Sequence, residues 1–130
     1  MLKEEEVVRE VFAMWVTGLD GCVESFEKHC HPDLFWWNSA RGGVEGRDVC
    51  VQGLHAMHEM TQFATTRVVI KNIQAKSGQV MVERSDDMYD ADGNLIAAVP
   101  AVGVLEFEGD KIVAWRDYCN DWTPNLQPEV

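Results

Sequence analysis

Basic residues are scarce in this 130-residue chain: 11 Lys and Arg stand against 22 Asp and Glu, a formal net charge of −11. No basic stripe exists to neutralise phosphates, which argues against a nucleic-acid or anionic-membrane partner. No apolar run approaches the length of a membrane span. The start, "MLKEEEVVREVF", is charged and periodic rather than a signal segment, so the expected home is the cytoplasm. Cys22, Cys30, Cys50 and Cys119 lack CxxC spacing and read as reduced thiols filling the core. Phosphate-cradling loops are missing too, because "RGGVEGRD" lacks the glycine pattern and the lysine-serine ending. "DADGN" begins like a calcium loop, but its glycine comes early and the closing glutamate is absent. His29 and His31 lie near a helix end, and His55 and His58 sit at helical spacing without a carboxylate, so no metal site is expected.

What is present is apolar periodicity, in 46% hydrophobic residues, with neither repeats nor low-complexity segments. One domain over 1–130 is expected. Val8, Val11, Phe12 and Trp15 recur at helical spacing and predict a first helix that "GLDG" ends. "CVESFEKHCHPD" predicts a second helix stopped by Pro32, and "LFWWNSA" a short strand followed by a loop at "RGGVEGRD". "VCVQGLHAMHEM" predicts a third helix, with Cys50, Leu54, Met57 and His58 on one stripe. The period then changes to two in "FATTRVVIKNIQAK", "QVMVERSDDMYD", "NLIAAVPAVGVLEFEG" and "KIVAWRDYCNDW", with hairpin signals at "DADGN" and "EGDK". Pro100 inside such a run implies a sheet edge or a bulge. Helices first and a meander of long strands after them mean an α+β fold, with the helices on one face of a curved sheet.

Alternation exposes a conflict. Val80 and Val82 assign one face of their strand to the core, yet Arg84, Asp86 and Met88 share it. Likewise Leu34 and Trp36 share a face with Asn38, and Val113 and Trp115 share one with Asp117 and Cys119. A lone buried charge would cost several kcal/mol on the order of magnitude, so pairing is required. One guanidinium has enough donors to fork between two carboxylates. With one carboxyl protonated, such a cluster is neutral and holds an acid beside a base. A structural salt bridge at a sheet edge is the plainer reading of the same residues.

"ERSDDM", then "WRDY", preceded by "FWWN" after two helices, resembles the limonene-epoxide hydrolase family over nearly the whole chain. That resemblance implies a cystatin-like (NTF2-like) cone, three N-terminal helices packed on a strongly curved, mainly antiparallel sheet. It implies a cofactor-independent hydrolase in which Asp86 is the acid, Asp117 the base and Arg84 the bridge. Asn38 would hold the attacking water, and Trp36 stands where the family carries a tyrosine. An indole donates one hydrogen bond and accepts none, so this position departs from the pattern. The pocket wall is expected from Leu34, Leu54, Met57, Met88 and Trp15, enclosing a small apolar substrate. A homodimer is expected from the same resemblance. Two other classes fit the scaffold: an isomerase or cyclase of the ketosteroid-isomerase or polyketide-cyclase type, and a non-catalytic small-molecule-binding domain. The isomerase's oxyanion pair finds only "FAMW" and "VPAVG" here.

Overall fold

The computed structural model describes residues 3–120. The first helix, α1 (Lys3–Met14), buries Val8, Val11 and Phe12 along one stripe and opens with Glu4, Glu5 and Glu6, where carboxylates meet the positive end of the helix dipole. A 3₁₀ turn over Trp15–Thr17 leads to Gly18, whose φ of 86° breaks the helix. A Cβ there would lie 2.6 Å from the Ala64 carbonyl oxygen, so this break requires glycine on two counts. "GLDG" does not separate the helices as a loop, because α2 (Leu19–His29) begins directly after Gly18. It buries Cys22, Ser25, Phe26 and His29.

The second helix ends three residues before Pro32. Strand β1 (Cys30–Asn38) starts at once and takes Pro32 into an irregular stretch between its paired residues Cys30 and Phe35. A proline's missing donor is tolerated where the ladder is already interrupted. The segment expected as a loop folds into β2 (Gly42–Glu45), which closes a hairpin on β1. Then come α3 (Arg47–Thr61), β3 (Thr65–Lys76), β4 (Gln79–Tyr89), β5 (Leu95–Glu108) and β6 (Lys111–Cys119). Asp121 and Trp122, expected to prolong the last strand, lie outside the described residues.

The six strands form one mixed sheet in the order β2-β1-β6-β5-β4-β3, antiparallel throughout except for the parallel β1–β6 pair. The three helices pack on one face of it, which gives the α+β cystatin-like architecture. Register shifts in β3, β5 and β6 bend the sheet and flip the alternation locally. One of them puts Ile112, and not Val113, into the core. Pro100 is neither on an edge strand nor at a bulge: it sits opposite Ser85 in regular register with β4. Pairing with β6 reaches only as far as Ala101, opposite Cys119, so Pro100 lies just beyond the end of that ladder. Beneath the helices an aromatic cluster forms the floor of the fold. Trp115 stacks on Trp15 and Phe26 with ring centroids at 5.9 and 5.6 Å, and Phe12 meets it edge-on.

Candidate functional site

Register brings one row of residues together across the sheet. Asn38 of β1 lies beside Asp117 of β6, which lies beside Gly103 of β5, which lies beside Val82 of β4. Arg84 is two residues along β4 on the same face and reaches diagonally over Gly103. Its guanidinium forks between both carboxylates. Nε and Nη2 donate to Asp86 at 2.9 and 3.1 Å, while Nη1 and Nη2 donate to the two oxygens of Asp117 at 2.9 Å each. The Trp115 indole adds a third donor to Asp117, 3.0 Å from Oδ1. The Arg84 guanidinium also lies 4.8 Å over the Phe12 ring, whose face favours a cation.

Burial makes these contacts matter. The side chains of Arg84, Asp117 and Asp86 are 1%, 12% and 19% exposed. Burial pushes the Asp86 carboxyl above the usual range; Arg84 pulls it down, and the charge of Asp117 pushes it up again. For Arg84, burial works against the charge, but the two carboxylates outweigh it and hold the guanidinium above its ordinary value.

Gly103 is the residue that alternation alone did not reveal. A Cβ on it would stand 2.7 Å from Asp117 Oδ1 and 2.9 Å from Arg84 Nη1, inside the ion pair. Only a strand without a side chain at that point lets the two groups meet above it. A glycine in a strand interior is the available sequence signal for such an approach.

The ion-paired group forms the polar end of a cavity with about 690 Å³ of empty space, its mouth included. Trp15, Leu54, Met57 and Met88 line it as expected from the sequence, together with Trp36 and Asn38. Leu34 does not: it is fully buried in the core, where the irregular stretch of β1 places it. Cys119, on the stripe that carries Asp117, and Val99 and Ala101, from the small-residue run "LIAAVPAVG", complete the wall with Cys22 and Thr66, which the sequence pattern did not mark. The Cys22 thiol is pushed up to about 12, by burial first and the Asp86 charge second, which keeps it in the unreactive form. Asn38 accepts hydrogen bonds from the Ala40 and Arg41 amides at 3.0 and 2.7 Å, so its oxygen is engaged in the turn and its NH₂ group is the part left to face the cavity. Trp36 packs against Phe26 with centroids at 5.0 Å.

Among the described residues no group of three or more His, Cys, Asp or Glu side chains is placed to hold a metal ion. His29 instead contacts Glu10 across the α1–α2 seam, and His58 packs edge-on against Phe63. No helix among the described residues is long and apolar enough to cross a membrane.

The model of the limonene-1,2-epoxide hydrolase catalytic domain matches residues 6–124. None of the curated proteins compared with the chain matches it in sequence. Solved structures with the same fold include a limonene-epoxide-hydrolase-like epoxide hydrolase from M. tuberculosis, at 21% identity and a TM-score of 0.72, covering 91% of this chain and 83% of that one. A SnoaL-like polyketide cyclase from a Jannaschia species shares 16% identity with a TM-score of 0.73, covering 90% of this chain and 85% of that one. A cystatin-like protein from Xanthomonas campestris shares 19% identity with a TM-score of 0.74, covering 95% of each. At these identities the likeness is one of fold.

Proposed function

We propose, from the premise that the chain belongs to the limonene-1,2-epoxide hydrolase family, that it opens a small apolar or alicyclic epoxide to a vicinal diol by direct attack of water. The observation that carries this reading is a single buried guanidinium holding two carboxyl groups at the end of an apolar cavity. With both aspartates ionised the cluster would be net negative in a water-poor site; with one protonated it is neutral. Asp86 is the carboxyl pushed towards the protonated form. Asp117 receives three N–H donors, two of them on Oδ1, which leaves one acceptor position on Oδ2.

The roles follow from those positions. A water donates one proton to Asp117 Oδ2 and is steadied by the Asn38 NH₂ group. Its oxygen attacks an epoxide carbon from the side opposite the ring oxygen. As that C–O bond breaks, Asp86 gives its proton to the departing oxygen, and a diol results. Asp117 then holds one proton more and Asp86 one fewer, and exchange with solvent restores both. Arg84 orients the two carboxyls and offsets the charge as it moves from one to the other. Trp36 contributes shape and one possible donor, replacing the hydroxyl that the family pattern carries there. The acidic chain is expected to act in the cytoplasm. On the outer face of the sheet, exposed Val69, Met81, Val102 and Tyr118 suit pairing with a second copy of the chain.

The test is product analysis with a panel of apolar epoxides, scored by chiral chromatography of the diol. Diol formed well above the buffer rate supports the reading. Absence of diol from every epoxide, with conversion of an unsaturated ketone or a polyketide ester instead, supports the isomerase or cyclase class.

A further inference from the structure

Thr66 is 4% exposed, stands on the cavity wall and faces it in register with Met88, on the same face as Asp86. The same cavity is lined by the apolar side chains of Trp15, Leu54, Met57, Met88 and Val99, with its charged groups at Arg84, Asp86 and Asp117. Four other hydroxyls of this chain are engaged with backbone carbonyls. Thr17 donates to the Met14 carbonyl, Thr61 to Met57, Thr65 to Val16 and Ser25 to Cys22. The Thr66 hydroxyl is bonded to no group among the described residues. A buried hydroxyl without a partner is unfavourable, and a valine would fill the same shape without that cost.

We propose that Thr66 is a specificity-determining residue that selects substrates carrying a second oxygen, a hydroxyl or carbonyl, at the end remote from the epoxide. This rests on the epoxide-opening reading above and names its substrate class more narrowly. Asp86 is paired with Val68, and Thr66 lies two residues further along β3. The strand rise and spacing put the two Cα atoms about 8 Å apart. A ring of six carbons, held by Asp86 at its epoxide, brings a substituent on its far carbon towards Thr66. The hydroxyl both donates and accepts, so it serves an alcohol or a ketone. A site built around a hydrogen bond also disfavours the analogue that cannot make it.

The experiment compares two cyclohexene oxides, one with a hydroxyl and one with a methyl group on the ring carbon farthest from the epoxide. The readout is the ratio of their kcat/KM values in the wild type, Thr66→Val and Thr66→Ser. The wild type is expected to favour the hydroxylated epoxide by about tenfold. Thr66→Val should bring the ratio near one, and Thr66→Ser should keep most of it. An unchanged ratio in Thr66→Val, or a wild-type ratio of one, overturns the proposal. If the wild type opens neither epoxide, the hydrolase reading is decided by the wider epoxide panel above, and the Thr66 proposal is decided by binding. Cyclohexanol and methylcyclohexane are then titrated against tryptophan fluorescence. An alcohol preference lost in Thr66→Val supports the proposal, and equal binding of the two overturns it.

Discussion

Adding one methyl group at Gly103 tests the geometry of the site more severely than removing any of its charged groups. In Gly103→Ala the new Cβ would sit 2.7 Å from Asp117 Oδ1, 2.9 Å from Arg84 Nη1 and 3.3 Å from Leu105 Cδ1. Neither partner is a free flexible end: Asp117 is held by three donors and Arg84 by four hydrogen bonds to carboxylates. The alanine must therefore push the ion pair apart or lift β5 away from its neighbours. Overpacking of this kind costs about 1–3 kcal/mol. For a chain of 130 residues, an unfolding entropy of about 2.1 cal/mol/K per residue turns that into a fall in Tm of about 4–11 °C. Activity should fall further, by about 100-fold or more, because an ångström of displacement between acid and base costs that much in a positioned reaction. Differential scanning calorimetry and initial rates of diol formation are the two readouts. Gly53→Ala is the control: it is an exposed position within α3 with nothing within 4 Å of the added Cβ. Alanine's better helix propensity should raise stability there by about 0.5–1 kcal/mol. A Gly103→Ala protein with wild-type Tm and wild-type rate would refute the crossing of Arg84 over β5.

Asp86→Asn and Asp117→Asn should each lower kcat for epoxide opening by about 10²–10⁴-fold while near-ultraviolet circular dichroism stays native, and either variant at the wild-type rate removes the role given to that residue. The pH dependence has a definite sign. Asp86 acts protonated and its carboxyl is raised, so kcat/KM should decline on the alkaline side, with a midpoint above the ordinary aspartate range. A raised carboxyl stabilises the fold fully below the unfolded aspartate pKa, and that contribution is lost as pH rises through the folded value. Tm should therefore decline across that window in the wild type and decline less in Asp86→Asn, and a wild-type Tm that rises there contradicts the assignment. Cys22 and Cys30 are both pushed up to about 12 and Cys50 to about 11, chiefly by burial. Iodoacetamide at pH 8 followed by peptide mass spectrometry should label partly exposed Cys119 first, and early labelling of Cys22 would mean the cavity wall is open to reagent.

The strand carrying Arg84 and Asp86 was legible because its period of two is unbroken from Val80 to Met88, so one face could be read by counting. Counting failed where a register shift inserts a residue. Val113 and Ile112 exchange faces for that reason, as Leu34 leaves the cavity wall for the core beside the irregular stretch of β1. Pro32 and Pro100 were read by local rules about helices and sheet edges, yet each is accommodated where a ladder is interrupted or has ended, which depends on a strand distant in sequence. Strand β2 carries no alternation at all: "GGVE" is exposed along its length and is paired through the hairpin with β1. Gly103, Thr66 and the Trp115 donor take their places from neighbours across the sheet, and no single segment contains that information.

The direct measurement of the central claim is a single turnover of an apolar epoxide in water enriched in the heavy oxygen isotope, with enzyme in excess. Water attack assisted by Asp117 and Asp86 places the label in the first diol formed. An unlabelled first diol, with the heavy atom entering an aspartate side chain only as an ester is later hydrolysed, would make one of these carboxylates the nucleophile and contradict the account.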